Sequence, residues 1–163
     1  MFKGYALSAV ASYELRALVL HTKHYWADGR DLVPYDVALG WGQMSDQAVL
    51  ARLTISQSNR FYFYEWRDAP PIPEKEITIQ SSNNHVIAAN SAVAHVMSSL
   101  RTGQIVSMKG WLVNVTGQDG FHWDTSIRRD DTGNGACEVF YVESAAAADE
   151  PSQVAPLAQA ALR

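Results

Sequence analysis

The chain has 163 residues, of which 47% are apolar and 18% are charged, and a mass of 18.0 kDa. It is large enough to bury the core of one domain and leaves no room for a second. The formal charge of −4, from 13 Lys and Arg against 17 Asp and Glu, argues against a domain that holds a phosphate backbone by charge alone. The single cysteine, Cys137, excludes an intrachain disulfide and a zinc site built on clustered thiolates.

The first half of the chain predicts three strands and one short helix. Alternating residues predict a strand over 13–26, and a short buried strand follows over 36–42. Ser45 is a suitable N-cap for a helix over 46–53. The aromatic run over 58–66 predicts a third strand, and the prolines that come after it predict an extended connection.

The second half predicts a longer helix between further strands. A short strand over 76–80 precedes a polar turn over 81–85. Asn90 is a suitable N-cap for a helix over 91–101, in which apolar residues recur at helical spacing. The strands predicted after this helix cover residues 105–115, 121–127 and 137–142.

These elements indicate an all-β domain with one or two short helices. Strands, then a helix, then more strands is the order of a small OB-like barrel, closed or partly open, in which the helix covers one end. A two-layer α+β domain is the alternative. Because the composition changes to Ala, Pro, Gln and Asp, we predict a single β-rich domain over 1–144 and a low-complexity, solvated C-terminal tail over 145–163.

Two polar segments are candidates for a functional site. Asn83, Asn84 and His85 place three hydrogen-bonding side chains between a predicted strand and a helix, where loops often carry sites. A turn that uses asparagine in a left-handed conformation explains them as well. In the glycine-rich segment 128–135, the arginines could clamp an anion, although the adjacent aspartates are alternative partners for them.

Other candidates have weaker support. The tryptophans, among them Trp41 and Trp111, could form a stacking platform or simply fill the core. The histidines lack the spacing of metal ligands, so we predict neither a metal site nor a cofactor. Cys137 opens the last predicted strand, where a buried structural cysteine is more common than a nucleophile.

Four ordered motifs carry a resemblance to a known group of proteins. They are DVALGWG at 36–42, SNNHVI at 82–87, GQIVSMKGWLV at 103–113 and DTGNGACEVFYV at 131–142. Together they resemble a widespread family of uncharacterised bacterial proteins. The resemblance implies no established activity. Members often begin with a short hydrophobic segment, which implies a periplasmic or membrane-anchored domain outside the cytoplasm. The anchor is absent from this chain, and a cytoplasmic location is the alternative.

Our main functional hypothesis is a non-enzymatic, extracytoplasmic binding or assembly domain. Its partner would be an unknown small ligand or a protein, and the acidic charge makes nucleic acid a poor candidate. The strand order and the lack of a complete catalytic constellation favour this hypothesis. The predicted ligand face consists of Trp41, Asn84, His85, Trp111, Arg128 and Asn134.

The alternative hypothesis is a hydrolase of nuclease or phosphodiesterase type, metal-independent or metal-assisted. His85 would be the general base and Arg128 the electrophilic clamp. Either Asp36 or Asp130 would orient the histidine. This hypothesis requires His85, Arg128 and a carboxylate to meet in one cleft.

Overall fold

The computed structural model describes residues 1–26, 32–118, 120–128, 130–133 and 135–149, together with the backbone of 161–162. Strands dominate these residues, with a 3₁₀ turn over Gly42–Ser45 and short helices α1 (Gln47–Leu50), α2 (Glu74–Ile79) and α3 (Ser91–Ser99). The strands are β1 (Ala6–His24), β2 (Tyr35–Gly40), β3 (Thr54–Ser58), β4 (Phe61–Glu65), β5 (Ser81–Ala88), β6 (Gln104–Thr116), β7 (His122–Trp123), β8 (Glu138–Asp149) and β9 (Ala161–Leu162).

Five strands close into a ring-like sheet. Around the ring, β1 pairs with β2, β2 with β5, β5 with β8, β8 with β6, and β6 again with β1. The β5–β8 pair is parallel and the other four are antiparallel. Helix α3 connects β5 to β6, as the predicted order requires. The prediction of an all-β domain with few short helices is therefore confirmed, and a two-layer α+β domain does not describe the chain.

Strand β1 spans two sides of the ring because it bends. Its first part, Ala6–Leu18, pairs with β6, and its last part, Leu18–His24, pairs with β2. The register shifts once in each part, between Ala9 and Ala11 and between Val19 and His21. Such bulges increase strand bending and twist, which lets one strand serve two partners.

The main hydrophobic core is formed by the five strands of the ring-like sheet together with α3. The rings of Tyr13 on β1 and Phe140 on β8 lie 4.7 Å apart at its centre. Helix α3 contributes Val93 and Met97, both buried. A second cluster packs on the other face of β5, β6 and β8, and it includes the partly buried Trp123. The alternation of side chains along each strand thus gives the ring two apolar faces.

Several predicted elements are corrected. Residues 58–66 are not one strand, because the chain turns at Asn59 and Arg60, whose φ angles are 50° and 71°. This turn joins β3 and β4 into a hairpin. Residues 76–79 belong to α2, which begins after Pro73 and buries Ile77, and Gln80 is the C-cap of this helix. Residues 81–85 form the start of β5, since they pair with β2, and not a turn.

Smaller corrections concern the ends of elements. Asp46 and not Ser45 caps α1, since its Oδ1 accepts a 2.7 Å hydrogen bond from the Ala48 N–H. The Ser45 hydroxyl donates instead to the Gly42 carbonyl. The strand predicted over 121–127 is limited to the two residues of β7. Strand β8 runs across the predicted domain boundary at residue 144, because Ala145–Asp149 continue to pair with β6.

Candidate functional site

A cleft opens between β4, the start of β5 and the segment 131–138, and we call it the aromatic cleft. Its volume is about 350 Å³, which lies in the range of small-molecule sites. The β3–β4 hairpin borders the cleft along β4, whose aromatic side chains alternate between the two faces of the hairpin. These residues are Phe61, Tyr62, Phe63 and Tyr64, and Trp66 follows directly after the strand.

Hydrogen-bonded groups form the polar side of the aromatic cleft. The first three residues of β5 line it. The Tyr62 hydroxyl donates to Ser81 Oγ at 3.4 Å, and the Tyr64 hydroxyl lies 3.2 Å from Thr78 Oγ1. Burial raises the pKa of Tyr62, so its hydroxyl stays protonated throughout the physiological range. The cleft therefore combines ring faces with fixed hydroxyl groups.

The rim of the aromatic cleft carries more negative than positive charge. Glu74 and Asp131 line it, and Asp131 accepts a 2.6 Å hydrogen bond from Ser126 Oγ. Arg128 lines it as well, but its Nε and Nη2 donate to Asp130 at 3.0 and 3.1 Å. These hydrogen bonds raise the pKa of Arg128 and lower the pKa of Asp130. The arginine charge is therefore balanced locally, which leaves the carboxylates of Glu74 and Asp131 at the rim.

A smaller cavity of about 170 Å³ adjoins the aromatic cleft, and we call it the histidine cavity. The two share the lining residues Phe61, Gly133 and Cys137. The histidine cavity is further lined by Arg60, His85, Trp123 and Gly135. Gly133 and Gly135 have φ angles of 84° and 85°, a left-handed conformation that favours glycine. The backbone of these two glycines therefore borders the cavity.

A buried ionic cluster of Asp36, Arg60 and His85 contributes to the histidine cavity. Asp36 on β2 lies opposite His85 on β5, so the two side chains share one face of the sheet. Asp36 Oδ1 lies 2.8 Å from His85 Nδ1 and 3.0 Å from Arg60 Nη1. Asp36 and His85 are only 0% and 3% exposed. The low exposure makes this cluster costly to disrupt.

Arg60 also ties the β3–β4 hairpin to neighbouring segments. Its Nη1 donates to the Val33 carbonyl at 2.8 Å, and its backbone N–H donates to the Tyr25 hydroxyl at 3.0 Å. The guanidinium carbon lies 3.8 Å from the centre of the Tyr25 ring, a cation–π contact. Burial is the main reason why the pKa of Tyr25 is raised. The position of the cleft wall thus depends on Arg60.

Two buried amides link the hairpin to β5. Gln57 Nε2 donates to Asn83 Oδ1, and Asn83 Nδ2 donates to the Arg60 carbonyl at 3.1 Å. Gln57 Oε1 lies 2.9 Å from His21 Nδ1 on β1. Because both amides are buried and both have partners, they hold the hairpin in one orientation over the sheet.

Cys137 lies at the junction of the two cavities. Its Sγ is 3.8 Å from Asn83 Nδ2. Burial raises the pKa of Cys137 to about 12, so the side chain is a thiol at neutral pH. The thiolate is the nucleophilic form of cysteine. This agrees with the interpretation of Cys137 as a structural residue.

The structure separates Asn84 from His85, which were predicted to share a ligand face. They are neighbours on β5 and neighbouring strand residues point to opposite faces of a sheet. His85 lines the histidine cavity, whereas Asn84 is fully buried and its Nδ2 donates to Ser82 Oγ at 2.9 Å. The expectation of a face shared by these two residues is therefore wrong.

The remaining residues of the predicted face are also dispersed. Trp41 is 2% exposed and belongs to the main core. Trp111 on β6 is 41% exposed and is not among the described residues that line either cavity. Arg128 lines the aromatic cleft, and Asn134 lies outside the described residues. Of the five residues of the predicted face that the structure describes, His85 and Arg128 line the two adjoining cavities, and their ligand binding stays a prediction.

The geometry meets the requirements of the hydrolase hypothesis only in part. Asp36, one of the two carboxylates proposed to orient His85, is within hydrogen-bond distance of it. Asp130 is instead bonded to Arg128. Arg128 lines the neighbouring aromatic cleft, and Arg60 is the arginine that contacts the His85 cluster. Whether the chain catalyses hydrolysis stays a prediction.

Sequence analysis missed Arg60 and Gln57. Both were hidden inside or beside the run 58–66, which was interpreted as one continuous strand. The signal that could have revealed them is the pair Ser58-Asn59, since both residue types favour turns. A turn at this point would have placed Gln57 near the end of the first strand and Arg60 in the hairpin loop.

No model of a known protein family matches the chain, and no curated protein or solved structure is significantly similar to it. Among the described residues, no group of three or more His, Cys, Asp and Glu side chains could hold a metal ion. The same part of the chain contains no helix that is long and apolar enough to cross a membrane. Inferences about function therefore rest on the two cavities.

Proposed function

We propose that the chain is a non-enzymatic binding domain for a small, ring-containing ligand that occupies the aromatic cleft. The observation that carries the proposal is one cleft of about 350 Å³ with an aromatic wall from β4 and polar groups from β5. Aromatic side chains bind flat rings by stacking or edge contacts, and a few fixed polar groups orient the ligand. The ligand is therefore amphipathic.

The charges at the rim restrict the ligand further. Glu74 and Asp131 are negative, whereas the charge of Arg128 is balanced by Asp130. Aromatic rings attract cations through their negative faces and do not attract anions. Neutral or cationic ring compounds are thus favoured over carboxylates and phosphates. This agrees with the expectation that nucleic acid is not the partner.

Exposed aromatic area on the hairpin supports the same proposal. Phe61 and Phe63 are 36% and 45% exposed, and both line the cleft. A bound ring would remove part of this apolar surface from water, which stabilises a complex by about 25 cal/mol for each Å² buried. The hairpin thus provides apolar binding area without any change in the five-stranded sheet.

Ligand-observed NMR with a fragment library tests the proposal. The library contains cationic, neutral and anionic ring compounds, and we expect the first two classes to bind. Phe63→Ala should weaken their binding about fivefold, the effect of removing one aromatic contact. Trp111→Ala is the matched control, since Trp111 is similarly exposed at 41% but lies outside the cleft. The proposal fails if no fragment binds, or if the two variants weaken binding equally.

A second candidate function is a hydrolase with His85 as general base. The observation that favours it is the 2.8 Å contact between His85 Nδ1 and Asp36 Oδ1, since carboxylates orient catalytic histidines in this way. Bis(para-nitrophenyl) phosphate and para-nitrophenyl acetate are suitable substrates. Release of nitrophenolate that is lost in a folded His85→Ala variant would support this candidate. Release no faster than in buffer would exclude it for both ester classes.

We also propose that the domain works outside the cytoplasm, attached to the membrane. The support for this location is the resemblance of the four motifs to a bacterial family whose members often carry an N-terminal hydrophobic segment. Fractionation of the source cells followed by immunoblotting tests it. We expect the protein in the envelope fraction, and a purely cytoplasmic signal would overturn the proposal.

A further inference from the structure

We propose that the C-terminal strand β9 covers an open edge of β1 and keeps a second copy of the chain from pairing there. This role lies outside the proposed binding function, because it concerns an edge of the sheet and neither of the two cavities. Three observations support it. They are the partners of β1, the order of charges along its edge, and the length of the connection between β8 and β9.

The registers of β1 place β9 on the same side of this strand as β2. Leu18 pairs with Ile105 of β6 and with Gly40 of β2, and a strand residue has one neighbouring strand on each side. Strand β2 therefore lies on the side of β1 opposite β6. Tyr13 and Glu14 pair with β6 as well as with β9, so β9 also lies opposite β6.

One stretch of β1 has an open edge on this side. Strand β2 covers Leu18–His24, and a bulge at Val10, where the register against β6 shifts, interrupts regular pairing. Between them lies Ala11–Ala17. Within the described part of the chain, β9 is the strand that pairs with this stretch, at Tyr13 and Glu14. An uncovered edge of this kind pairs readily with other strands.

The open edge is complementary to itself in an antiparallel pair. Glu14 and Arg16 are exposed, and Leu15 between them is buried. If two copies pair antiparallel about Leu15, Glu14 of each copy lies directly opposite Arg16 of the other. Opposite charges in such cross-strand pairs stabilise a sheet. A second copy of the chain is therefore the partner that fits this edge when β9 does not occupy it.

The connection to β9 is long enough for pairing within one chain. Ala148 and Leu18 pair with Ile105 from opposite sides. From the strand spacing of about 4.8 Å and the rise of about 3.3 Å per residue, β9 at Glu14 lies about 20 Å from Ala148. Residues 149–160 span up to about 40 Å when extended. A covalent connection of this length gives an effective concentration in the mM range, so β9 pairs with the edge in preference to a second copy at µM concentration.

Amide hydrogen exchange of the full chain, followed by NMR, tests the pairing of β9 with β1. Successive N–H groups of a strand point to opposite sides, so of Tyr13 and Glu14 one donates towards β6 and the other towards β9. We expect both amides to exchange slowly in the wild-type chain. The double variant Ala161→Pro, Leu162→Pro removes both N–H groups of β9. It should raise the exchange rate of one of the two amides about tenfold and leave the other protected.

Slow exchange of the β6 amides in the double variant shows that the sheet is kept. Fast exchange of either Tyr13 or Glu14 in the wild-type chain would overturn the inference. So would prolines that change the exchange of neither residue.

Light scattering after size-exclusion chromatography, over a series of µM concentrations, tests the effect on association. We expect the double proline variant to form more dimer than the wild-type chain. Gln153→Pro is the control, because it adds a proline to the connection and keeps both N–H groups of β9. Arg16→Glu in the double variant should abolish the added dimer, because it places like charges opposite each other. A double variant that associates no more than the control, or dimers that persist with Arg16→Glu, would overturn the inference.

Discussion

The ion pair between Arg60 and Asp36 should contribute strongly to stability, and Arg60→Met removes it while keeping a long side chain. The Asp36 carboxylate, 0% exposed, would then lose the guanidinium and keep its contact with His85. Removing one partner of a buried ion pair costs about 3–5 kcal/mol, because the other charge stays buried. Since the Arg60 side chain is 19% exposed, we expect the lower end of this range, about 3 kcal/mol.

Urea unfolding at neutral pH, followed by tryptophan fluorescence and circular dichroism, measures this loss. Arg52→Met is the control, because Arg52 is exposed and its hydrogen bond within the described residues goes to the Ala69 carbonyl at 3.3 Å, so its loss should cost less than about 0.5 kcal/mol. The double variant with Asp36→Asn should be less destabilised than the sum of the single variants by about 1–3 kcal/mol. A loss below about 1 kcal/mol for Arg60→Met, or additive effects, would refute the reasoning.

Two further predictions concern β6 and Cys137. Gly110→Ala should lower the free energy of unfolding by at least about 3 kcal/mol, since a Cβ at this position would lie 2.0 Å from the Tyr141 carbonyl oxygen. The control is Ser107→Ala, at an exposed position of the same strand. Equal losses for the two variants in the urea assay would contradict this prediction. At pH ~8.5, iodoacetamide should modify Cys137 about 10³-fold more slowly in the native chain than in urea, because an unfolded thiol has a pKa of about 8.5 and burial raises that of Cys137 to about 12. Because the pKa of Cys137 is raised in the folded state, its contribution to stability is fully present below the pKa of the unfolded thiol and is lost as the pH rises towards 12. Modification rates of the native and the unfolded chain within a factor of about ten of each other would contradict the burial of the thiol.

The elements that the sequence predicts correctly are those defined by local patterns. Asn90 caps α3 as expected, with its Oδ1 accepting from the Val93 N–H at 3.0 Å. The cap and the apolar spacing lie within one short stretch of chain. Strands β2 and β6 show the same agreement, because β2 is a short buried run that ends at Gly40, and buried and exposed residues alternate along much of β6. Together these strands and α3 were enough to predict the fold class.

The errors arise where contacts distant in sequence decide the structure. The segment 74–79 forms a helix of only six residues, too short for a clear helical period. Residues 81–85 have the composition of a turn, yet β2 on one side and β8 on the other draw this segment into the ring. Tertiary pairing can override local preference in this way.

The candidate site could not be predicted from local sequence patterns either. Asp36 and His85 lie 49 positions apart, and only the register of β2 against β5 places them side by side. The sequence did suggest both residues as a possible pair. Arg60, the third member of the cluster, depends on the hairpin turn that precedes β4, which was not recognised.

The parallel pairing of β5 with β8 has a consequence for synthesis of the chain. Asn84 on β5 lies beside Glu138 on β8, and β8 also pairs with β6. Until residue 138 and the rest of β8 have been synthesised, β5 and β6 each have an unpaired edge. Unpaired edges readily associate with other strands. We therefore expect the ring to close only after β8 has been synthesised, and the emerging chain to depend on chaperones until then.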